Sequence, residues 1–212
     1  MRLLLPLAIL LAHAACIKTN KGGAPETDDD DQDTDTTDDT DDTDDTDDGP
    51  LEFGPENSWY HAMEDAVPED LEGTGTKKGN VAADFKLNDQ FGDKVRLYQF
   101  YGKIVVLDIF TQWCEPCQDN APHGQELWQD GGGEVIVLAL MQESTSGKAT
   151  EQACAKWASD YGLTHPILAD KNKSQNHWAP GGYPTYVVLD REMKVIKEDL
   201  WPFDSDWVLD QL

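Results

Sequence analysis

The stretch "KIVVLDIFTQWCEPCQDNAP", Lys103 to Pro122, decides the fold. Ile104 to Phe110 is apolar at every position except Asp108. So continuous a run predicts a strand buried on both faces, the habit of parallel sheets under crossover helices. A lone carboxylate inside such a strand costs several kcal/mol unless it is neutral or paired. Asp108 therefore needs an explanation, and six residues later stand Cys114 and Cys117. Glu115 to Gln129 predicts a helix that starts within the cysteine motif and is kinked by Pro122, whose missing N–H breaks the helical ladder.

Working outward, "EVIVLALM" from Glu134 to Met141 predicts the next buried strand, and Thr150 to Tyr161 the next helix. Pro166 to Ala169 follows, then a strand over Thr185 to Asp190, a turn at Arg191 and Glu192, a strand around Val195 and a closing helix near Ser205 to Leu212. Upstream, "ADFKLNDQFGDKVRLYQFYGK" carries two short alternating runs, Asp84 to Leu87 and Lys94 to Leu97, around a turn. Strands alternating with helices give an α/β protein whose parallel strands are covered on both faces, with an antiparallel hairpin at the end.

C-x-x-C at a strand–helix junction is a redox arrangement. A sulfur at a helix N-terminus meets unpaired N–H groups and the positive end of the helix dipole, which stabilise its thiolate. A second sulfur two residues on can close back and resolve a mixed disulfide. Cys114 is the candidate attacker and Cys117 the resolver. A half zinc site and a structural disulfide are the alternatives. Zinc needs two more ligands, and His61, His123, His165 and His177 show no paired metal spacing; a structural disulfide would not need the junction. No metal and no cofactor is expected. Cys154 lies on the stripe Ala153, Cys154, Trp157, Ala158, Tyr161, a core face that makes it a buried, inert thiol.

From Gly79 to the C-terminus the chain resembles the thioredoxin superfamily, specifically the extracytoplasmic TlpA/ResA-type (AhpC/TSA-redoxin-like) thiol-disulfide oxidoreductases. The resemblance rests on "ADFKLNDQFGDKVRLYQFYGKIVVLDIF", on Trp113 with "CEPC", on "GGYPTYVVLDREMKVI" and on their order, and Pro122 matches the proline that kinks the thioredoxin active-site helix. It implies a thioredoxin-like fold, a central mixed sheet covered by helices on both faces, with an N-terminal β-hairpin extension. It also implies that Pro184 is a cis-proline facing the disulfide, with the Tyr183 backbone available to an extended substrate and Trp113 completing the docking surface. From the residues alone, Gly182 to Thr185 is only a turn before a strand. Asp108 coincides with the buried aspartate beneath the thioredoxin disulfide, which exchanges a proton with the resolving cysteine. Burial raises such a carboxyl toward neutrality, which suits general acid–base work; the bland alternative is an edge aspartate paired with a surface lysine. ResA-type proteins carry a glutamate three residues after the second cysteine. Here that residue is Asn120, which leaves Asp108 as the proton acceptor.

Glu115 beside Cys114 disfavours the thiolate, stabilises the disulfide and makes the dithiol the better reductant, so a reductase of protein disulfides is expected. In an oxidising compartment a donor must regenerate the dithiol, and the resemblance implies a membrane electron-transfer protein. Two rivals share the fold. A peroxiredoxin-type thiol peroxidase has the T-x-x-C formed here by Thr111 and Cys114, but lacks its upstream proline in this chain. A Sco-like copper module prefers C-x-x-x-C, one residue longer, with a distant histidine. A surface binding module indifferent to Cys114→Ser is the third alternative.

The N-terminus, "MRLLLPLAILLAHAAC", has an early positive charge, an apolar run and small residues before Cys16, the layout of a secretory signal over residues 1–15 and too short for a membrane span. Ala12-His13-Ala14 suits ordinary cleavage, whereas Ala14-Ala15-Cys16 resembles the end of a lipobox with His13 in an unusual place. A lipid-anchored Cys16 is favoured because residues 16–50 form the polar tether that an anchored protein needs. Between Glu26 and Asp48 lie 14 Asp and one Glu without Lys or Arg, so more than half of the formal net charge of -26 sits in this tract. With no apolar residue it is expected to be disordered and extended. Thr46 breaks the EF-hand pattern before Gly49. Residues 51–78 are a lead-in with a possible short helix from Trp59 to Ala66. No basic patch is present, so nucleic acid is excluded as a partner. The expectation is a monomer outside the cytoplasm, periplasmic or in the cell envelope. Ile17 after the cysteine, where an inner-membrane lipoprotein would carry Asp, favours the outer membrane.

Overall fold

The computed structural model describes Trp59 and residues 66–212. The signal, the Cys16 anchor, the tether and most of the predicted helix from Trp59 lie outside the described residues.

The strands are β1 (Lys86–Asn88), β2 (Lys94–Arg96), β3 (Ile104–Thr111), β4 (Val135–Ser144), β5 (Gly147–Lys148), β6 (Ile167–Ala169), β7 (Thr185–Leu189) and β8 (Val195–Lys197). The helices are α1 (Glu115–Asp130), α2 (Glu151–Tyr161) and α3 (Ser205–Leu209), with 3₁₀ turns at Leu97–Phe100 and Asn176–Trp178. All strands join one mixed sheet in the order β2-β1-β6-β4-β3-β7-β8, with β5 hairpinned onto β4. β3, β4 and β6 are parallel; β7 and β8 run antiparallel to their neighbours. The N-terminal hairpin β1–β2 joins the sheet through Asn88 opposite Ala169.

β3 is buried on both faces because each face has its own cover. Ile104 and Val106 pack with Val135, Val137 and Val188 against Leu127 of α1 and Val208 of α3. Phe110 packs with Ala139, Met141 and Ile167 against Cys117 and Ala121 of α1 and Cys154 and Trp157 of α2. On the alternate face Val105, Leu107 and Ile109 meet Phe85, Leu97, Tyr98, Phe100 and Trp178. Helices thus cover both faces, but all three α-helices share one, and 3₁₀ turns with the hairpin cover the other. Both crossovers, β3-α1-β4 and β4-α2-β6, step the same way along the sheet, so right-handed connections put α1 and α2 on the same side.

Several boundaries differ from the sequence expectation. β1 begins at Lys86 rather than Asp84; Asp84 is tied to the other arm of the hairpin by its side chain instead, the carboxylate accepting from Arg96 Nε at 2.8 Å and from the Tyr98 N–H at 3.0 Å. β4 runs three residues past Met141, through a register slip opposite Phe110 and Thr111, because Glu143 and Ser144 pair with β5. α3 stops at Leu209. Trp59 of the lead-in is buried in the core: its indole N–H donates to Asp89 Oδ2 at 2.5 Å, and its ring meets Phe91 and Trp128.

Candidate active site

Cys114 and Cys117 form a disulfide with their Cα atoms 5.2 Å apart. Cys114 is the N-cap of α1, and its Sγ accepts from the Cys117 N–H at 3.2 Å, the place that a Ser or Asp oxygen takes in ordinary caps. Its backbone N–H donates to the Thr111 carbonyl at 3.2 Å, tying the turn to the end of β3. Glu115 and Pro116 open the helix; Pro116 loses nothing there, since the first N–H groups of a helix have no partner inside it. Pro122 lies within α1. Asn120, where the related glutamate would stand, donates through Nδ2 to the Pro116 carbonyl at 2.8 Å and stays on the helix surface.

Asp108 pairs with Ala139 of β4 and Tyr186 of β7, on the row of side chains beneath α1. One step along that row is Phe110, which with Ala139 packs against both cysteines. Asp108 keeps some exposure, yet its Oδ1 is buried with no hydrogen-bond partner among the described residues. Burial alone pushes this carboxyl up to about 7. The lysine pair of the bland alternative is absent from the described ion pairs of Asp108.

The Tyr183–Pro184 peptide is cis. Thr185 pairs with Ile109, so Pro184 heads β7 at the end of the sheet that carries the disulfide. Tyr183 packs against the cluster holding both cysteines, and its ring meets the edge of Trp113 at 6.3 Å. Its hydroxyl donates to Asn176 Oδ1. Trp113 is 54% exposed. Its indole N–H donates to Glu143 Oε2 at 2.9 Å, while Lys173 engages Glu143 Oε1. Those two bonds, the lysine's first, hold the Glu143 carboxyl below its ordinary range. Sequence patterning misses Glu143, because it lies beyond the apolar run of β4 and acquires its role through the register slip.

Cys154 is fully buried against Phe110 and Trp157, and burial raises its thiol well above the usual range. His165 is buried beside Gly124 and Trp128 of α1, with its Nε2 unpartnered. His177 is exposed on the second 3₁₀ turn, its Nδ1 bonded to the Ser174 carbonyl. Neither histidine joins the sulfur pair.

The AhpC/TSA family model matches residues 78–198, more than half of the chain. The chain belongs to the AhpC/TSA family. Within it, the chain is 32% identical over 118 residues to the thioredoxin-like protein YneN of Bacillus subtilis, covering 56% of this chain and 68% of that one. It is 32% identical over 130 residues to the thiol-disulfide oxidoreductase ResA of Geobacillus thermodenitrificans, covering 59% and 71%. Among solved structures, the exposed lipoprotein thioredoxin of Streptococcus pneumoniae matches at 27% identity with TM-score 0.51, over 60% of this chain and 96% of that one. A putative thiol:disulfide interchange protein DsbE from Chlorobium tepidum matches at 24% and TM-score 0.54, over 64% and 94%, a likeness of fold. With the cysteine pair capping α1, this AhpC/TSA member is a thiol-disulfide oxidoreductase of the TlpA/ResA type.

Proposed function

We propose that the protein reduces polypeptide disulfides outside the cytoplasm through the Cys114/Cys117 pair. The observation that carries this reading is the Cys114–Cys117 disulfide at the α1 N-terminus with the Trp113–Tyr183 aromatic pair beside it; Asp108, on the strand row beneath α1, supplies the proton acceptor of this reading. In the reduced protein the Cys114 thiolate attacks one substrate sulfur, breaks the substrate disulfide and releases the first thiolate. Asp108, with a carboxyl near 7, takes the proton of Cys117. The Cys117 thiolate then attacks Cys114 Sγ, closing the protein disulfide and releasing the second substrate thiol. Two electrons pass to the substrate in each cycle; one proton returns from Asp108 to a substrate thiolate and the other comes from solvent. A thiol or dithiol donor, held in the membrane, restores the pair.

Glu115, exposed at the first helical position, opposes the dipole's stabilisation of the Cys114 thiolate and favours the reducing direction. Anchoring through Cys16 agrees with the tether and with the pneumococcal relative, itself named an exposed lipoprotein. Outer-membrane placement and a monomeric state belong to the same reading. The deciding experiment is the reduction potential of the pair, by thiol trapping in dithiothreitol buffers in a Cys154→Ala background. A two-electron couple near or below about -250 mV supports a reductase, and one near about -120 mV reverses the direction. Absence of a reversible couple sinks the reading. Peroxide consumption that survives Cys117→Ser would favour the peroxidase, and one Cu(I) held with a histidine the copper module.

A further inference from the structure

Among the described residues the large apolar side chains left exposed are Phe91, Trp113, Trp201 and Leu212. Phe91 stacks on Trp59 at the β1–β2 turn. Trp201, 50% exposed, belongs to the disulfide end of the sheet. One bond places it there: beyond the end of β8 the Leu200 N–H donates to the Tyr186 carbonyl at 2.9 Å, which holds the chain alongside the start of β7, and Trp201 is the next residue. Its indole lies parallel to the Tyr186 ring, 6.4 Å away with an interplanar angle of 2°. Tyr186 is the register partner of Asp108. In the order of the sheet, Trp113 sits on the β4 side through Glu143, Trp201 on the β8 side, and Pro184 between them.

The charges at this end of the sheet that carry no ion pair among the described residues are acidic, while Lys173 on the Trp113 side is paired with Glu143 and Lys77 with Glu198. No Lys or Arg follows Lys197, and none lies in α1, which begins at the disulfide. Lys197 is turned onto the Trp207 ring, and Glu198 is held by Lys77 at 2.9 Å. Asp204 caps α3. Asp199 and Asp206 stand two and five residues from Trp201 along the chain, Asp199 in a cleft shared with Lys77 and His177, and Glu115 and Asp119 lie next to the cysteines in sequence; none of the four has an ion pair among the described residues.

We propose that Trp201 is the second aromatic wall of the docking surface, and that its occupant is an extended polypeptide segment with a Lys or Arg beside its disulfide cysteine. The proposal rests on the disulfide-exchange reading and names its substrate class. The alkyl stem and cationic head of such a residue fit an indole face, and the head reaches the free carboxylates of Asp199 or Asp206. Because these charges are solvated, the preference acts mainly on encounter and weakens with salt.

The test uses the mature chain, reduced beforehand and mixed in single turnover with three peptides. Each has one internal disulfide and Lys, Gln or Glu after its second cysteine; the protein dithiol supplies both electrons. At low salt the second-order rate constant for the Lys peptide exceeds that for the Glu peptide by about tenfold, with Gln between, and the gap closes toward about 0.5 M salt. Trp201→Ala raises the half-saturating concentration of the Lys peptide while the limiting rate stays. Asp199→Lys combined with Asp206→Lys inverts the order, a readout that stands even if Trp201→Ala fails to fold. Equal rate constants for the Lys and Glu peptides in the unaltered protein overturn this inference alone. A Trp201→Ala loss confined to the limiting rate overturns it too. Failure to reduce any of the three peptides overturns the disulfide-exchange reading with it.

Discussion

Asp108 and His165 lie on the same face of the sheet beneath α1 and titrate with opposite consequences. The Asp108 carboxyl is raised by burial to about 7, so the folded chain holds its proton where the unfolded chain, with a carboxyl near 4, has lost it. Stability from this group falls as pH rises from about 4 to about 7, by at most about 4 kcal/mol at 1.36 kcal/mol per pH unit. His165, lowered by burial to about 4, is neutral in the folded chain where the unfolded imidazole is still charged, so its contribution rises with pH between about 4 and about 6.5. The two slopes oppose each other over the shared window. Asp108→Asn is therefore expected to raise the denaturant midpoint of the oxidised protein at pH 8 and to leave it unchanged near pH 4, while slowing release of reduced substrate. A midpoint at pH 8 equal to that of the unaltered protein would show that the carboxylate is solvated. Glu143 makes a different prediction, because its bonds to Trp113 and Lys173 are exposed. Glu143→Ala costs under about 1 kcal/mol of stability. It frees the Trp113 indole, seen as a change in emission absent from a Trp113→Phe background, and raises the half-saturating substrate concentration.

At the level of elements, the helix caps separate structure from chemistry. Thr150 caps α2 by accepting from the Ala153 N–H at 3.1 Å, and Gly162 closes the helix in the left-handed region at φ 65°. Thr150→Ala is expected to cost about 1 kcal/mol and to leave the reduction potential of the Cys114/Cys117 pair where it was. A shifted potential would mean that α2 is coupled to the disulfide through Cys154 and Trp157. What could be read from sequence follows the same division. β3, β4 and α1 were legible because each buries its own repeat of side chains, continuous for a two-sided strand and capped for a helix. Asp108 and the cysteines were legible because their chemistry conflicts with their surroundings over a short span. The end of β4 was not, since Gln142 to Ser144 are polar, and Glu143 and Ser144 pair only through β5 and, for Glu143, a shifted register with Thr111. Nor was the segregation of α-helices to one face, which depends on β6 taking its place beyond β4 rather than beyond β3. Trp201 gave no local signal, because the contact that places it is with Tyr186 on a neighbouring strand.

For the whole molecule, the question is how much chain the redox fold needs. Among the described residues the face opposite the α-helices has no long helix to cover it, and its described cover is assembled from the hairpin, two 3₁₀ turns and Trp59. Trp59 satisfies its indole N–H on Asp89, and the other Asp89 oxygen accepts from the Phe91 and Asp93 N–H groups at 2.8 and 2.9 Å. One side chain of the lead-in thus ties down the β1–β2 turn and meets Trp128 of α1 at the edge of the sheet. Removing it opens a cavity and strands a buried carboxylate oxygen, so Trp59→Ala is expected to cost about 3–5 kcal/mol. A chain starting at Gly79 should lose a similar amount relative to one starting at Gly49, measured as a lower guanidinium midpoint, with the cysteine pair still redox-active in both. Equal midpoints for the two chains would mean that the Trp59 contacts add nothing to stability, and that the sheet face is sealed by Phe85, Leu97, Tyr98 and Phe100 alone.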